Sequence, residues 1–144
     1  MQAPDRQPFT NMRFRIEVEG MERTGALEAM LPDARIVIGP RKRLTTQYGT
    51  LTLRRGLTHA SEWYDWWNRA RTSTRAIERE VLVVLLNERG TDAIRWTYTA
   101  STPVGYLVSN LNALGNEPLI ESLELRVRGF EASFAQPRDA RKRR

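Results

Sequence analysis

Residues 80–99 read EVLVVLLNERGTDAIRWTYT, and the fold turns on how this stretch is parsed. Val81 to Leu86 is apolar at every position, as expected of a central strand covered on both faces. Asn87-Glu88-Arg89-Gly90 is a turn signal, because Asn and Gly accept the backbone angles that reverse a chain. From Ala93 to Thr99 the pattern alternates, with Ile94, Trp96 and Tyr98 on one side and Arg95, Thr97 and Thr99 on the other. A slip of one residue would carry all three large side chains into water, so one buried face fixes the register. The stretch predicts a β-hairpin whose first arm lies inside a sheet.

Upstream the period changes. Trp63, Trp66, Trp67 and Ala70 recur at three- and four-residue spacing, with Glu62, Asp65, Asn68 and Arg69 between them. That spacing places the tryptophans on one helical face and predicts that they pack the helix onto a sheet. The helix is expected over 59–71, with Thr58 as N-cap and Thr72–Thr74 as the exit. Before it, Thr45–Arg54 reads as one long strand, with Leu51 and Leu53 inward. The basic run Arg41, Lys42, Arg43 follows Gly39-Pro40 in an exposed connection, and Arg35–Ile38 is a short strand. Met21–Asp33 fits neither period and is expected to be loop. Met12–Glu19 alternates Met12, Phe14, Ile16 and Val18 with Arg13, Arg15, Glu17 and Glu19, the pattern of a half-buried strand.

Downstream, Pro103 and Gly105 are expected to bend the chain and Asn110–Pro118 to form a loop. Leu119–Arg128 reads as a last strand with Leu123, Leu125 and Val127 inward. About six or seven short strands and one helix indicate a mainly β fold, with two packed antiparallel sheets as a sandwich or small barrel and the helix over an open side.

Composition narrows the function. A chain of 144 residues fits one domain, expected over 1–135. Without cysteine there are no disulfides and no thiolate metal sites, and one histidine, His59, cannot build a histidine-rich metal centre. The net charge of +6 is concentrated at 136–144, where Arg138, Arg141, Lys142, Arg143 and Arg144 accompany one acid, Asp139. Removing that segment from the totals of 23 basic and 17 acidic residues leaves 18 against 16, a nearly neutral body. The terminus is read as a solvated, disordered tail, and sequence-specific nucleic-acid binding is not expected. No apolar run approaches the roughly 20 residues of a membrane helix. Met1–Asn11 is polar without a signal core, so synthesis in the cytoplasm is expected.

Catalytic patterns are missing. His59 has no carboxylate to orient it beside a nucleophile. Glu121 and Glu124 fall on opposite faces of a strand, and no phosphate-binding glycine loop occurs. Neither an enzyme nor a bound cofactor is expected. The rows Arg13, Arg15 and Arg126, Arg128 alternate with acids, as on a solvated face, a subunit interface or a channel wall. A single-stranded nucleic-acid-binding barrel is the alternative from another class, since small basic β-rich domains with exposed aromatics bind that way.

Several segments together resemble the tail tube family of contractile phages and extracellular contractile injection systems, and more remotely the type VI secretion tube protein. They are Phe14-Arg15-Ile16-Glu17-Val18-Glu19-Gly20, the run from Tyr48-Gly49-Thr50-Leu51 to Gly56-Leu57-Thr58, and the aromatic motif Trp63-Tyr64-Asp65-Trp66-Trp67. The hairpin pieces Val81–Gly90 and Arg95-Trp96-Thr97-Tyr98 follow, then Leu111-Asn112-Ala113-Leu114-Gly115-Asn116-Glu117 with Ile120–Leu125. The resemblance implies a non-enzymatic subunit of hexameric rings that stack into a tube, with inner strands lining a lumen. It also implies a surrounding sheath, a baseplate and no cofactor, in a virion-like or extracellular contractile particle. In that family the loop after the second short strand helps contact the next ring and is longer and acidic; here Gly39-Pro40-Arg41-Lys42-Arg43-Leu44 is short and basic. Arg41, Lys42 and Arg43 are therefore expected at the ring-stacking contact, and the departure leaves room for a specialised tube-initiator layer at the baseplate. Thr99-Ala100-Ser101-Thr102-Pro103 and the basic tail also depart from the family pattern.

Overall fold

The computed structural model describes residues 8–9, 13–21, 25–73 and 77–135. Met12, Thr74 and the basic terminus at 136–144 lie outside the described residues. The order is β1 (Phe14–Val18), β2 (Ala26–Met30), β3 (Ala34–Ile38), a 3₁₀ turn (Pro40–Lys42), β4 (Leu44–Tyr48), β5 (Thr50–Gly56), α1 (Glu62–Thr72), β6 (Arg79–Leu86), β7 (Asp92–Val108), β8 (Ile120–Arg126) and β9 (Gly129–Phe134).

The hairpin at the centre of the sequence forms as its pattern demands. β6 lies between β1 and β7, with Ile16↔Val83↔Trp96 and Val18↔Val81↔Tyr98 in register on the inner face. The turn is built by Asn87, whose side-chain oxygen accepts the amides of Arg89 at 2.9 Å and Thr91 at 3.1 Å. Gly90 takes φ 81°, a left-handed angle that favours glycine.

β7 organises the rest. Its 17 residues would extend about 55 Å if straight. Instead its first half pairs with β6 and β9 and its second half with β8. Ala100 adopts φ 51° at the crossing, and the β7–β8 register shifts between Pro103 and Gly105. Pro103, which has no amide to donate, is tolerated at such a bulge. Two four-stranded sheets result: a first sheet β1-β6-β7-β9 and a second sheet β2-β5-β8-β7, sharing one strand. The strand path ends at β1 and β2 without closing.

The core fills the space between them. Ile16, Val18, Val81, Val83 and Tyr98 from the first sheet meet Leu51, Leu53, Leu123, Leu125 and Val127 on the second-sheet side, with Trp63 and Trp66 from the helix.

Several sequence expectations are corrected. Met21–Asp33 contains an edge strand, β2, whose period is hidden by a bulge between Ala26 and Glu28. Thr45–Arg54 is two strands in two sheets, broken at Gly49, whose amide donates to Asp33 O at 3.0 Å. A Cβ on Gly49 would meet the tip of the Asp33 side chain, so a larger residue there would displace that carboxylate from its place beside Arg35. Pro103 and Gly105, expected to bend the chain, mark a register shift against β8, and the strand runs on to Val108. The segment after Arg126 turns and returns as β9, anchored by Arg128 N to Thr99 O at 3.2 Å. The helix starts at Glu62 with Ser61 as N-cap, while Thr58 Oγ1 accepts the Ala60 amide in the preceding turn.

Candidate assembly surfaces

The β3–β4 hairpin stands apart as a two-stranded sheet of its own. All five residues of β3 are exposed, and so are Leu44–Gln47 of β4. The register Ile36↔Thr46 and Ile38↔Leu44 puts Ile36, Ile38 and Leu44 on one face, with Ile38 71% exposed. At the tip Gly39 N donates to Arg43 O at 2.7 Å and Arg43 N to Pro40 O at 3.2 Å. Arg41 and Lys42 sit at φ 58° and 59°, in the left-handed region. Among the described residues Arg41, Lys42 and Arg43 form no ion pair, so three cations cluster without a carboxylate. Lower on the hairpin Arg35 does pair with Asp33, at 2.6 Å, and this holds the Asp33 carboxyl below its ordinary range.

At the other end of the second sheet, the connection 109–119 leaves β7 and enters β8. Its base is tied by Ser109 N to Ile120 O and Ile120 N to Ser109 Oγ, both 2.9 Å. Asn112 shapes its tip, its carbonyl accepting Gly115 N and its side chain accepting Leu114 N, each at 3.0 Å. The loop thereby presents Leu111 and Leu114 outward, Leu114 98% exposed.

The two edges of the second sheet are also apolar. Leu27 and Met30 are exposed on β2, and Val104, Leu107 and Val108 on the second half of β7. Between these edges the outer face carries Thr50, Thr52 and Arg54 on β5 and Ser122, Glu124 and Arg126 on β8. Arg54 pairs across to Glu28 of β2 at 2.7 Å.

The arginines singled out by sequence do not form one surface. Arg13 and Arg15 lie toward the β6–β7 turn, where Arg13 Nη1 donates to Glu88 O and Arg15 binds Glu17 at 2.6 Å and Asp92 at 2.8 Å. The hydrogen bond from Arg15 holds Asp92 below the usual carboxylate range. Arg126 and Arg128 lie toward the corner where β7 crosses, and Arg128 pairs with Glu78 at 3.5 Å. Trp63 and Trp66 are buried, with Arg55 4.2 Å from the Trp63 ring centre and Trp66 Nε1 donating to Ile77 O at 2.8 Å. Trp67 is half-buried in an aromatic cluster with Tyr64 and Tyr106, at centroid distances of 6.2 and 6.1 Å.

One network escaped sequence reading. Arg55 and Glu121 are register partners in the β5–β8 ladder and both point into the core. Arg55 Nε donates to Glu121 Oε1 at 2.5 Å, Tyr106 OH donates to Glu121 Oε2 at 2.6 Å, and Arg55 Nη2 reaches Glu62 at 3.3 Å. Burial and the bond to Glu121 push the Tyr106 phenol up to about 12. The signal was present, since Arg55 and Glu121 occupy the alternating positions that place Leu51, Leu53, Leu123 and Leu125 inward. Among the described residues no cluster of three or more His, Asp or Glu could hold a metal, and no helix is long and apolar enough to cross a membrane.

Comparison with known proteins places this geometry. No curated protein sequence matches the chain. Among solved structures, the fold is similar to a chain of the anti-feeding prophage baseplate, 6-fold symmetrised, with TM-score 0.73 and 22% identity over 89% of this chain and 97% of that one. It is similar to a chain of the extracellular contractile injection system PVC sheath-tube complex, with TM-score 0.70 and 17% identity over 94% and 100%. Hcp1 from Flavobacterium johnsoniae gives TM-score 0.63 and 15% identity over 85% and 95%. These identities establish a shared fold, and the family model described as T4-like virus tail tube protein gp19 matches residues 10–131. The chain belongs to the T4-like virus tail tube protein gp19 family.

Proposed function

We propose that this tail tube subunit, one domain over 1–135 with a basic tail, closes into a hexameric ring by continuing its second sheet from copy to copy. The observation that carries the reading is the pair of open apolar edges on that sheet. An exposed edge strand presents unpaired amides and carbonyls, and closing several copies into a ring removes every such edge. The edges differ: β2 offers Leu27 and Met30, whereas β7 offers Val104, Leu107 and Val108. Unlike edges suit a head-to-tail contact, and a head-to-tail contact that closes makes a ring.

In such a ring the outer face of the second sheet lines the lumen. Hydroxyls of Thr50, Thr52 and Ser122 alternate there with Arg54, Glu124 and Arg126, and Glu28 offsets Arg54. Arginine and glutamate balance, so the wall carries no strong field of either sign, while Met30 and Leu107, register partners of Thr52 and Ser122, add apolar side chains on the same face. The role is mechanical: a rigid channel inside a contractile sheath, seated on a baseplate, with no reaction performed. The main tube is the first reading. A specialised layer beside the baseplate is the second, favoured by the short, cationic tip at Arg41, Lys42 and Arg43.

Light scattering with negative-stain microscopy at two salt concentrations tests the reading. Six-fold rings or tubes are expected, with tubes marking the main component and isolated rings a specialised layer. A monomer that persists at high protein concentration overturns it.

A further inference from the structure

We infer that the half-exposed aromatic platform of Tyr64, Trp67 and Tyr106 locks the seam between neighbouring copies, closing over the small residues Ala26 and Ala29 on the β2 edge of the adjacent copy. The inference rests on the ring proposed above and adds the helix to a contact so far made by strands alone.

The platform joins two elements at one edge. Tyr106 belongs to the second half of β7 and is the register partner of buried Leu123, so it points to the inner side of the sheet. Tyr64 and Trp67, on α1, reach it at centroid distances of 5.6 and 6.1 Å. The Tyr106 hydroxyl donates to the buried Glu121 carboxylate at 2.6 Å, which fixes its ring, and Arg71 lies 5.1 Å from the Trp67 ring centre. The chain does not cover what it has ordered: Tyr64 is 41% exposed, and Trp67 and Tyr106 are half-buried. Leu107 and Val108 continue the same edge and are also exposed, so platform and edge form one apolar surface. Rigid aromatic groups of this kind are what protein interfaces bury.

The opposite edge carries the complement. One inward row crosses the sheet as Ala29↔Leu53↔Leu123↔Tyr106, and a second as Ala26↔Arg55↔Glu121↔Val108. Each row starts at the β2 edge with a methyl group and ends at the β7 edge with a larger side chain. Neither alanine is fully buried in its own copy. Small against large is the pairing that lets two facing layers interdigitate.

Strand direction permits the contact. β2, β5, β8 and the second half of β7 are each antiparallel to the next, so the first and last of the four run in opposite directions. A copy turned about an axis along the strands therefore lays its β2 antiparallel to β7, and the ladder continues through the seam. Without stagger Tyr106 comes level with Ala29 of the adjacent copy. A closed ring of tilted strands is staggered, and an even stagger keeps the same face inward. Tyr64, standing on the helix beside Tyr106, then reaches over the seam. The occupant is a second copy because the platform is continuous with the edge that a second copy must pair.

Three variants and one labelling experiment test the lock. Tyr64→Ala, at a half-exposed site, should leave thermal unfolding of the dilute subunit unchanged and raise the concentration needed for half assembly about tenfold, the loss expected of an aromatic anchor. Ala29→Leu fills the space the ring needs and should block assembly. The double variant Ala29→Leu, Tyr64→Ala should restore rings, because the added methyls occupy the room the phenol leaves; a role confined to folding would give no such rescue. Hydroxyl-radical footprinting read by mass spectrometry should find Tyr64 reactive in dilute subunit and protected in rings. Six-fold rings in which Tyr64 stays as reactive as in the dilute subunit overturn the lock and leave the ring standing. A double variant that assembles no better than Ala29→Leu, though folded, also overturns it. Failure of the unmodified chain to form rings or tubes removes the ring reading itself, and the lock with it.

Discussion

Arg55 and Glu121 face each other directly across the β5–β8 ladder, with Glu121 1% exposed and Arg55 5%. Removing one partner leaves the other charged in the core, which costs far more than the pair contributes. Glu121→Ala should destabilise the subunit by about 3–5 kcal/mol. The double change Arg55→Met, Glu121→Leu should recover most of that loss. Urea unfolding of the two variants checks both, and a double variant no more stable than Glu121→Ala would show that the network does more than neutralise itself.

Trp66 ties the helix to the segment entering β6 through its bond to Ile77 O. Trp66→Ala should cost about 3–5 kcal/mol from lost packing. Trp66→Phe keeps most of the buried ring and gives up the hydrogen bond, so a loss of roughly 1 kcal/mol is expected. Thermal unfolding distinguishes the two changes.

Tyr98 and Tyr106 both have phenols pushed up to about 12, in each case chiefly by burial. A group whose folded pKa exceeds its unfolded value of about 10 binds its proton more tightly when folded. The stability it contributes is complete below pH 10 and is lost as pH rises from 10 through 12. Absorbance titration near 295 nm should show two tyrosines ionising late, and Tyr106→Phe should remove one of them and flatten the alkaline loss of stability.

Reversing Arg41, Lys42 and Arg43 to glutamate should change the stability of the isolated subunit by no more than about 0.5 kcal/mol, because among the described residues the three exposed side chains make no ion pair. Stacking should weaken while rings persist, as seen by microscopy. Unchanged tubes would show that the cationic tip is not at the stacking contact.

Much of the fold could be read from periodicity, and the failures share a cause. Val81–Leu86 and Ile94–Tyr98 were legible because burial on one or both faces forces their pattern. β2 was not, because an edge strand with a bulge buries too little to impose alternation on Ala26–Met30. The split at Gly49 was hidden because Thr45–Arg54 keeps its alternation while changing sheets, and the reason for the break lies in Asp33, sixteen residues earlier. Pro103 and Gly105 were legible as a bend, but not as a bulge that β7 carries through without ending. For assembly, the basic tip at 41–43 was visible as charge. The apolar face beside it and the leucines at 111 and 114 were not, since only the register and the loop geometry reveal them as exposed.

The unbroken course of β7 has a mechanical consequence. In the ring proposed above the second sheet is the wall and the first sheet the outer layer, and the two are joined by the same peptide backbone as well as by packed side chains. Tension between them runs along β7 and loads its ladders to β6, β9 and β8 in shear, where many hydrogen bonds must yield together. The sheets cannot be peeled apart one side chain at a time, so a thrust delivered to one layer moves both.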